Sequence, residues 1–248
     1  MNADIRTALV TGGNGDIGSC LVTQLLENGF RVASLDRPGT GKASTGRSVF
    51  AANFRFLPVD IRDRDAVEKA VNEVFSTWGR IDCLVNCAGI FHPRPFLEMT
   101  EEEWDETMAV NLHGTFWACQ AAAPHMIASG RGGRIVSMSS SLASKVAPGA
   151  GHYAPSKAAI EGMTHVLALE LAPHKINVNA VAPSMVYSSM ARNALGEEGL
   201  KNGAAAIPLK RLPRPEDITE VIAFLLSPES SFITGQVFQV NGASHMAW

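Results

Sequence analysis

Residues 8–18 read Ala8-Leu-Val-Thr-Gly-Gly-Asn-Gly-Asp-Ile-Gly18, a short apolar strand running straight into a glycine turn. A helical pattern follows, with Ile17, Leu21, Leu25 and Leu26 apolar and Gly29 as its stop. Gly13-x-Gly15-x-x-Gly18 has the spacing of a dinucleotide-binding turn. Glycines there permit the tight turn, a close approach of backbone to pyrophosphate, and tight helix–strand packing. Free N–H groups and the macrodipole at the helix start favour an anion. Eighteen residues past Gly18, a second apolar strand (Arg31 to Leu35) ends in Asp36, where a carboxylate accepts hydrogen bonds from a ribose. A glycine motif alone says little; one set between a strand and a helix, with an acid at this distance, says much more.

Outward from this stretch, strand-like and helix-like segments alternate along the whole chain. Strands are expected at Ala8–Thr11, Arg31–Leu35, Arg55–Pro58, Cys83–Asn86, Arg134–Met138, Asn177–Val181 and Val237–Val240. Helices are expected near 17–28, 64–78, 101–110, 113–129, 154–172 and 216–226. Asp63 suits the N-cap of the second helix and Gly79 its end, and Thr100 with Glu103 forms a capping box on the third. This order predicts an α/β fold: a single doubly wound Rossmann-type domain over residues 1–248, with a parallel sheet of about seven strands and helices on both faces. Gly39 to Gly46 is loop-like but too short to link domains, and internal repeats are absent. Residues 184–208 mix small, polar and apolar types without a strand, and suit a mobile helical flap over a cleft.

At 248 residues, 46% apolar and 18% charged, the composition is that of a globular enzyme. A formal charge of −3 without a basic stripe argues against a nucleic-acid partner, and no apolar run reaches a membrane span of ~18 residues. The opening Met-Asn-Ala-Asp-Ile-Arg lacks a secretory pattern, so cytoplasm is the expected location. Cysteines 20, 83, 87 and 119 lack zinc-site spacing; small reduced core residues are expected, and no metal.

Tyr153 and Lys157 stand one helical turn apart, with Ser140 thirteen residues upstream. Residues four apart share a helix face, so both side chains can enter one cleft. A free phenol titrates near ~10, and a neighbouring ammonium favours the phenolate and lowers that value. A tuned phenol beside a hydroxyl donor is what carbonyl reduction or alcohol oxidation needs.

Together these residues resemble the short-chain dehydrogenase/reductase family along nearly the whole chain. Its Thr-Gly-x-x-x-Gly-x-Gly motif is similar to Thr11 to Gly18, and its Asn-Asn-Ala-Gly strand end to Asn86-Cys87-Ala88-Gly89. A family asparagine matches Asn111, the serine strand resembles Gly133 to Ser140, and Tyr-x-x-x-Lys resembles Tyr153 to Lys157. A Pro-Gly segment is similar to Pro183-Ser184, and Pro215-Glu-Asp and Ile233-Thr-Gly-Gln extend the match. There are departures. Asp16 stands where the family has its middle glycine, with Gly15 one place early. An acid near pyrophosphate repels it unless its carboxylate turns toward N–H groups at the helix start, so Asp16 is expected there, with Gly15 supplying some of the turn's freedom. Cys87 replaces an asparagine, Ser184 a glycine and Ser188 a threonine, and Asn241-Gly-Ala differs from Asp-Gly-Gly.

The resemblance implies an NAD(H)-dependent enzyme interconverting a secondary alcohol and a ketone. Tyr153 would be the general acid/base. Lys157 would lower its pKa and hold ribose hydroxyls. Ser140, chosen over Ser139 and Ser141 by the family interval, would stabilise the reacting oxygen. Asn111 would hold a water in a proton relay. Gly12, Asn14, Gly15, Asp16, Ile17 and Gly18 would carry the pyrophosphate, and Asp36 and Arg37 the adenosine ribose. Asp60 and Ile61 would border the adenine. Asn86, Ala88, Gly89, Tyr153, Lys157, Pro183, Val186 and Ser188 would complete the cofactor site. Leu142 would join Ser140 and Tyr153 against substrate, with His92, His152, Met185, Tyr187, Met190 and Trp248 as further pocket candidates. Asp36 favours NAD over NADP, although Arg37 next to it could accept a 2′-phosphate. A homo-oligomer, a tetramer by resemblance, is expected, with helices 113–129 and 154–172 as interfaces. The alternatives are a non-catalytic NAD-binding sensor or scaffold and an NADP-dependent carbonyl or ketoacyl reductase of the same family.

Overall fold

The computed structural model describes residues 5–39 and 50–246. Trp248 and most of the loop-like stretch that begins at Gly39 fall outside them. In chain order the elements are β1 (Thr7–Thr11), α1 (Asp16–Glu27), β2 (Arg31–Asp36), β3 (Phe54–Pro58), α2 (Arg64–Trp78), β4 (Cys83–Asn86), α3 (Glu101–Met108), α4 (Gly114–Ser129), β5 (Gly133–Met138), α5 (Tyr153–Leu171), β6 (Ile176–Pro183), α6 (Ser189–Ala206), α7 (Pro215–Leu226) and β7 (Val237–Val240). The seven strands form one parallel sheet in the order β3-β2-β1-β4-β5-β6-β7.

Side chains alternate across a strand, so each central strand feeds both faces of the sheet. Leu9, Leu84, Ile135 and Val178 pack against Val67 and Val71 of α2, Ala118 and Met126 of α4, and Ala168 of α5. On the other face Ala8, Val10, Val85 and Val136 meet Leu21 and Leu25 of α1 and Ile218 and Ile222 of α7. Helix ends follow local chemistry. Asp63 accepts from Ala66 N–H at the start of α2, Gly79 ends that helix with φ 73°, and Thr100 and Glu103 close their capping box on α3. No helix among the described residues is long and apolar enough to cross a membrane.

After β3 the chain returns to the other side of β1 to lay down β4. Connections therefore leave the carboxyl ends of β1 and β4 in opposite directions, and a crevice opens between them. The glycine turn fills its floor. Gly12 has φ 65°, and a Cβ there would lie 2.6 Å from Ala88 N; one on Gly18 would lie 2.1 Å from Gly12 O. Gly15 does not supply the freedom expected of it: its φ of −67° and ψ of 170° suit any residue, and a Cβ would meet only Gly12 O, at 3.3 Å. The turn bends at Gly12, because that is where backbone passes closest to the strand end after β4.

One other segment differs from expectation. The helix expected to reach residue 110 stops at Met108, and Ala109–His113 widens into a π turn before α4. The wider turn accompanies an outside attachment: buried Asn111 accepts from Ile90 N–H (2.8 Å) and donates to Ile90 O and Ser156 Oγ (both 3.1 Å). Within 184–208 lies α6, broken at Gly196 (φ 67°, ψ 179°).

These contacts separate two glycines of one turn. Gly18→Ala is expected to cost about 1–3 kcal/mol of unfolding free energy in urea titrations, because the added methyl meets backbone. Gly15→Ser is expected to change it by less than about 0.5 kcal/mol.

Candidate active site

A cleft of about 2180 Å³ runs along the carboxyl ends of the strands. Gly12, Asn14, Gly15, Asp16, Ile17, Gly18, Asp36, Arg37, Asp60, Ile61, Ala88, Gly89, Pro183, Val186 and Ser188 line it together with Ser140, Leu142, Tyr153 and Lys157. Asn86 is not among them. It is buried, and its side-chain amide donates to Ser137 Oγ (3.0 Å) and Cys119 Sγ (3.4 Å), because the pleat turns this residue toward the α4 side of the sheet. The next residue, Cys87, reaches the cleft instead, so it is not purely a core residue. Asn111 lies behind the wall and acts on it through Ile90. His92, Met185 and Met190 line the cleft; His152 and Tyr187 do not.

At the glycine end the Asp36 carboxylate is fixed in place, accepting from Asn14 N–H (2.9 Å) and Arg37 N–H (2.8 Å). Asp60 is gripped by the Arg62 guanidinium, with a 2.6 Å contact, which holds its carboxyl below the usual range. The room that Gly12 and Gly18 create and the N-terminus of α1 above them fit a dinucleotide's pyrophosphate. Asp16 occupies the first position of α1, as expected, but its carboxylate does not turn to that helix's own N–H groups. It crosses the cleft to the start of α6, accepting from Ser189 N–H (2.7 Å) and Ser189 Oγ (2.6 Å). Ser188 is equally committed: its hydroxyl accepts from Ala191 N–H (3.3 Å) and donates to Val186 O (3.2 Å), capping α6 rather than standing open for a nicotinamide amide.

At the other end Ser140 follows β5 and Tyr153 opens α5, one turn before Lys157. Phe91 packs on Tyr153 with ring centroids 4.7 Å apart. Burial pushes the Tyr153 phenol up to about 12, and a hydrogen bond with Ser140 opposes that rise. The expected lowering by the lysine is not what this geometry gives. Lys157 Nζ lies over the Tyr153 ring, 5.5 Å from its centroid, and donates to Met138 O at 2.8 Å. Burial brings the Lys157 ammonium down to about 8. Spacing alone could not reveal this, since desolvation is set by what packs over the pair. Met138 O and Ser156, which hold Lys157 and Asn111, carried no sequence signal; nor did Ser189, beyond being a polar residue at a helix start.

A buried lysine with a depressed pKa costs stability while it must be charged. In the unfolded chain it keeps its proton up to ~10.5, whereas in the folded protein it releases it near 8. The wild-type fold therefore gains stability as pH rises from about 8 to about 10.5 and loses that gain as pH falls back through 8. Lys157→Met is expected to raise the melting temperature at pH 7, an effect on the order of 1–3 kcal/mol, with the advantage shrinking toward pH 10. Thermal melts of both proteins at pH 7 and pH 10 check this.

A sequence model of the family described as Enoyl-(Acyl carrier protein) reductase matches residues 13–245. The chain is 34% identical to a sorbitol dehydrogenase of Cereibacter sphaeroides, over 100% of both chains. It is 36% identical to a 3-oxoacyl-acyl-carrier-protein reductase of Thermotoga maritima, over 98% of both. Among solved structures it is similar to the ligand-free aldohexose dehydrogenase of Thermoplasma acidophilum, with TM-score 0.88 and 30% identity over 97% of this chain and 94% of that one. A short-chain type dehydrogenase/reductase of Mycobacterium ulcerans gives TM-score 0.89 and 32% identity over 96% and 89%. With that match along its length and a seven-stranded parallel sheet of the same kind, the chain belongs to the short-chain dehydrogenase/reductase family of oxidoreductases.

Proposed function

We propose that this protein is an NAD(H)-dependent alcohol dehydrogenase/carbonyl reductase acting on a secondary alcohol or ketone. One observation carries the reading: Ser140, Tyr153 and Lys157 meet on the wall of a cleft whose far end holds the glycine turn and Asp36. The dinucleotide, when bound, supplies the hydride acceptor or donor. The chain's own groups handle position and protons. Tyr153 Oη carries the proton exchanged with the substrate oxygen, and the Ser140 hydroxyl donates to that oxygen as charge develops on it. Lys157, held by Met138 O, keeps a positive charge beside the phenol and next to Gly89, where a Cβ would come within 3.5 Å of Nζ.

A phenol near 12 is protonated at neutral pH, the state needed to donate to a carbonyl. Ketone reduction is therefore favoured at neutral pH, and alcohol oxidation at higher pH. Asp36 supports NAD over NADP. At an effective dielectric of ~20, a carboxylate about 4 Å from a 2′-phosphate costs several kcal/mol. Leu142, Val146, Met185, Met190 and Ile207 give the cleft an apolar stretch, beside polar groups such as His92, Ser141, Lys145 and Asn193. This lining suits a ring or medium aliphatic ketone better than a polyol, which would need more hydrogen-bond partners. Exposed Phe116 and Ile127 on α4 and Val166 and Leu169 on α5 support a homo-oligomer, a tetramer by family resemblance, packed through those helices.

A parallel screen of ketones with NADH and NADPH tests the reading. Tyr153→Phe is expected to lower kcat at least about 1,000-fold while NADH still binds, and Ser140→Ala about 100- to 1,000-fold. If Tyr153→Phe matched the wild type on every substrate turned over, the assignment would fail. Asp36→Ser is expected to move the preference toward NADPH by at least about tenfold in kcat/KM; a wild type already preferring NADPH would refute the Asp36 argument.

A further inference from the structure

α6 is two pieces with different attachments. Beyond the break at Gly196, Leu200 packs with Ile207 and Leu212 in a small core separate from the two that sandwich the sheet, and of the helix before the break only half-buried Ala191 packs against it. Before the break, the stretch from Ser189 to Leu195 places Met190, Asn193, Ala194 and Leu195 along the cleft and contains no buried residue. Arg192 bonds Tyr187 Oη (2.6 Å) just before the helix and reaches Glu197 (2.8 Å) just past the break. What ties this half to the opposite wall is Asp16, through the two Ser189 hydrogen bonds. A carboxylate accepting N–H and O–H donors makes a charge-assisted pair, and a helix N-terminus adds a favourable dipole.

We infer that Asp16 is a positioning residue that latches the first half of α6 shut over the cleft, with Gly196 as the hinge. The inference rests on the dinucleotide reading of the cleft and adds a coupling to it. Asp16 belongs to the glycine turn and Met190 to the substrate end, so one contact links the occupancy of both ends to the position of the flap. It also accounts for an acid in a phosphate-binding turn. Engaged by Ser189, the carboxylate is drawn off toward α6 and away from the N–H groups of α1.

Amide hydrogen exchange on the cofactor-free protein and stopped-flow release of NADH test this with Asp16→Gly, Asp16→Asn and Ser189→Ala. Asp16→Gly is expected to speed exchange in 189–195 by about 5- to 20-fold while 198–206 stays unchanged, and to speed NADH release by a similar factor. KM for the dinucleotide should rise more than kcat changes. Asp16→Asn, which keeps an acceptor, should fall between, and Ser189→Ala should add nothing once Asp16 is gone. Equal exchange in wild type and Asp16→Gly would overturn the latch. So would tighter NADH binding by Asp16→Gly, which would make the carboxylate a repelling charge. If the wild type bound no NADH, the dinucleotide reading would fail, and the exchange data would still decide the latch.

Discussion

A lysine ammonium held almost out of water is the constraint around which this site is built. Lys157 is 4% exposed, and its charge is met by the Met138 carbonyl at 2.8 Å. Burying a charge is expensive unless it is hydrogen-bonded, and the depressed pKa of about 8 is the trace of that expense. An apolar side chain would serve stability better. The position makes sense through what surrounds it: the Tyr153 ring beneath the ammonium, the Ser140 hydroxyl nearby and the open cleft in front.

The surrounding wall is braced by hydrogen bonds from behind it. Gly89 sits beside Lys157 Nζ and Asn111 Oδ1; a Cβ there would touch the first at 3.5 Å and crowd the second at 3.3 Å. Asn111 holds the next residue, Ile90, by both of its backbone groups and is steadied by Ser156 one residue before Lys157. The π turn from α3 to α4 thus braces the loop after β4. A buried amide satisfied on both sides makes a rigid strut, because leaving any of these groups unpaired would cost its full desolvation. Asn86, lower down, joins β4 to β5 and α4 through its amide nitrogen alone, its Oδ1 being buried without a hydrogen bond among the described residues. Neither asparagine lines the cleft itself.

Much of this architecture was readable from local pattern. Periodicity predicts the second helix at 64–78 and it spans Arg64–Trp78, and the strands expected at Cys83–Asn86 and Val237–Val240 have those bounds. Caps such as Asp63 and Thr100 read well because their partners lie within three residues. Partners distant along the chain leave no such local trace. Asp16 and Ser189 are 173 positions apart, and Asn111 and Ile90 are 21 apart; neither pairing leaves a mark in a sliding window.

The sequence by itself determined the alternation of strands and helices, the glycine turn with Asp36 at its proper distance, and the Tyr153–Lys157 pair on one helix face. All three follow from short-range geometry: a period of two, a period of 3.6, and turns that exclude side chains. Only the tertiary structure decided that Gly12 rather than Gly15 makes the turn, that Asp16 faces α6, and that Tyr153 sits near 12 rather than below 10. Those outcomes depend on which surfaces exclude water and which backbones approach within van der Waals contact. Both are properties of the assembled sheet and its helices, set by residues far apart along the chain.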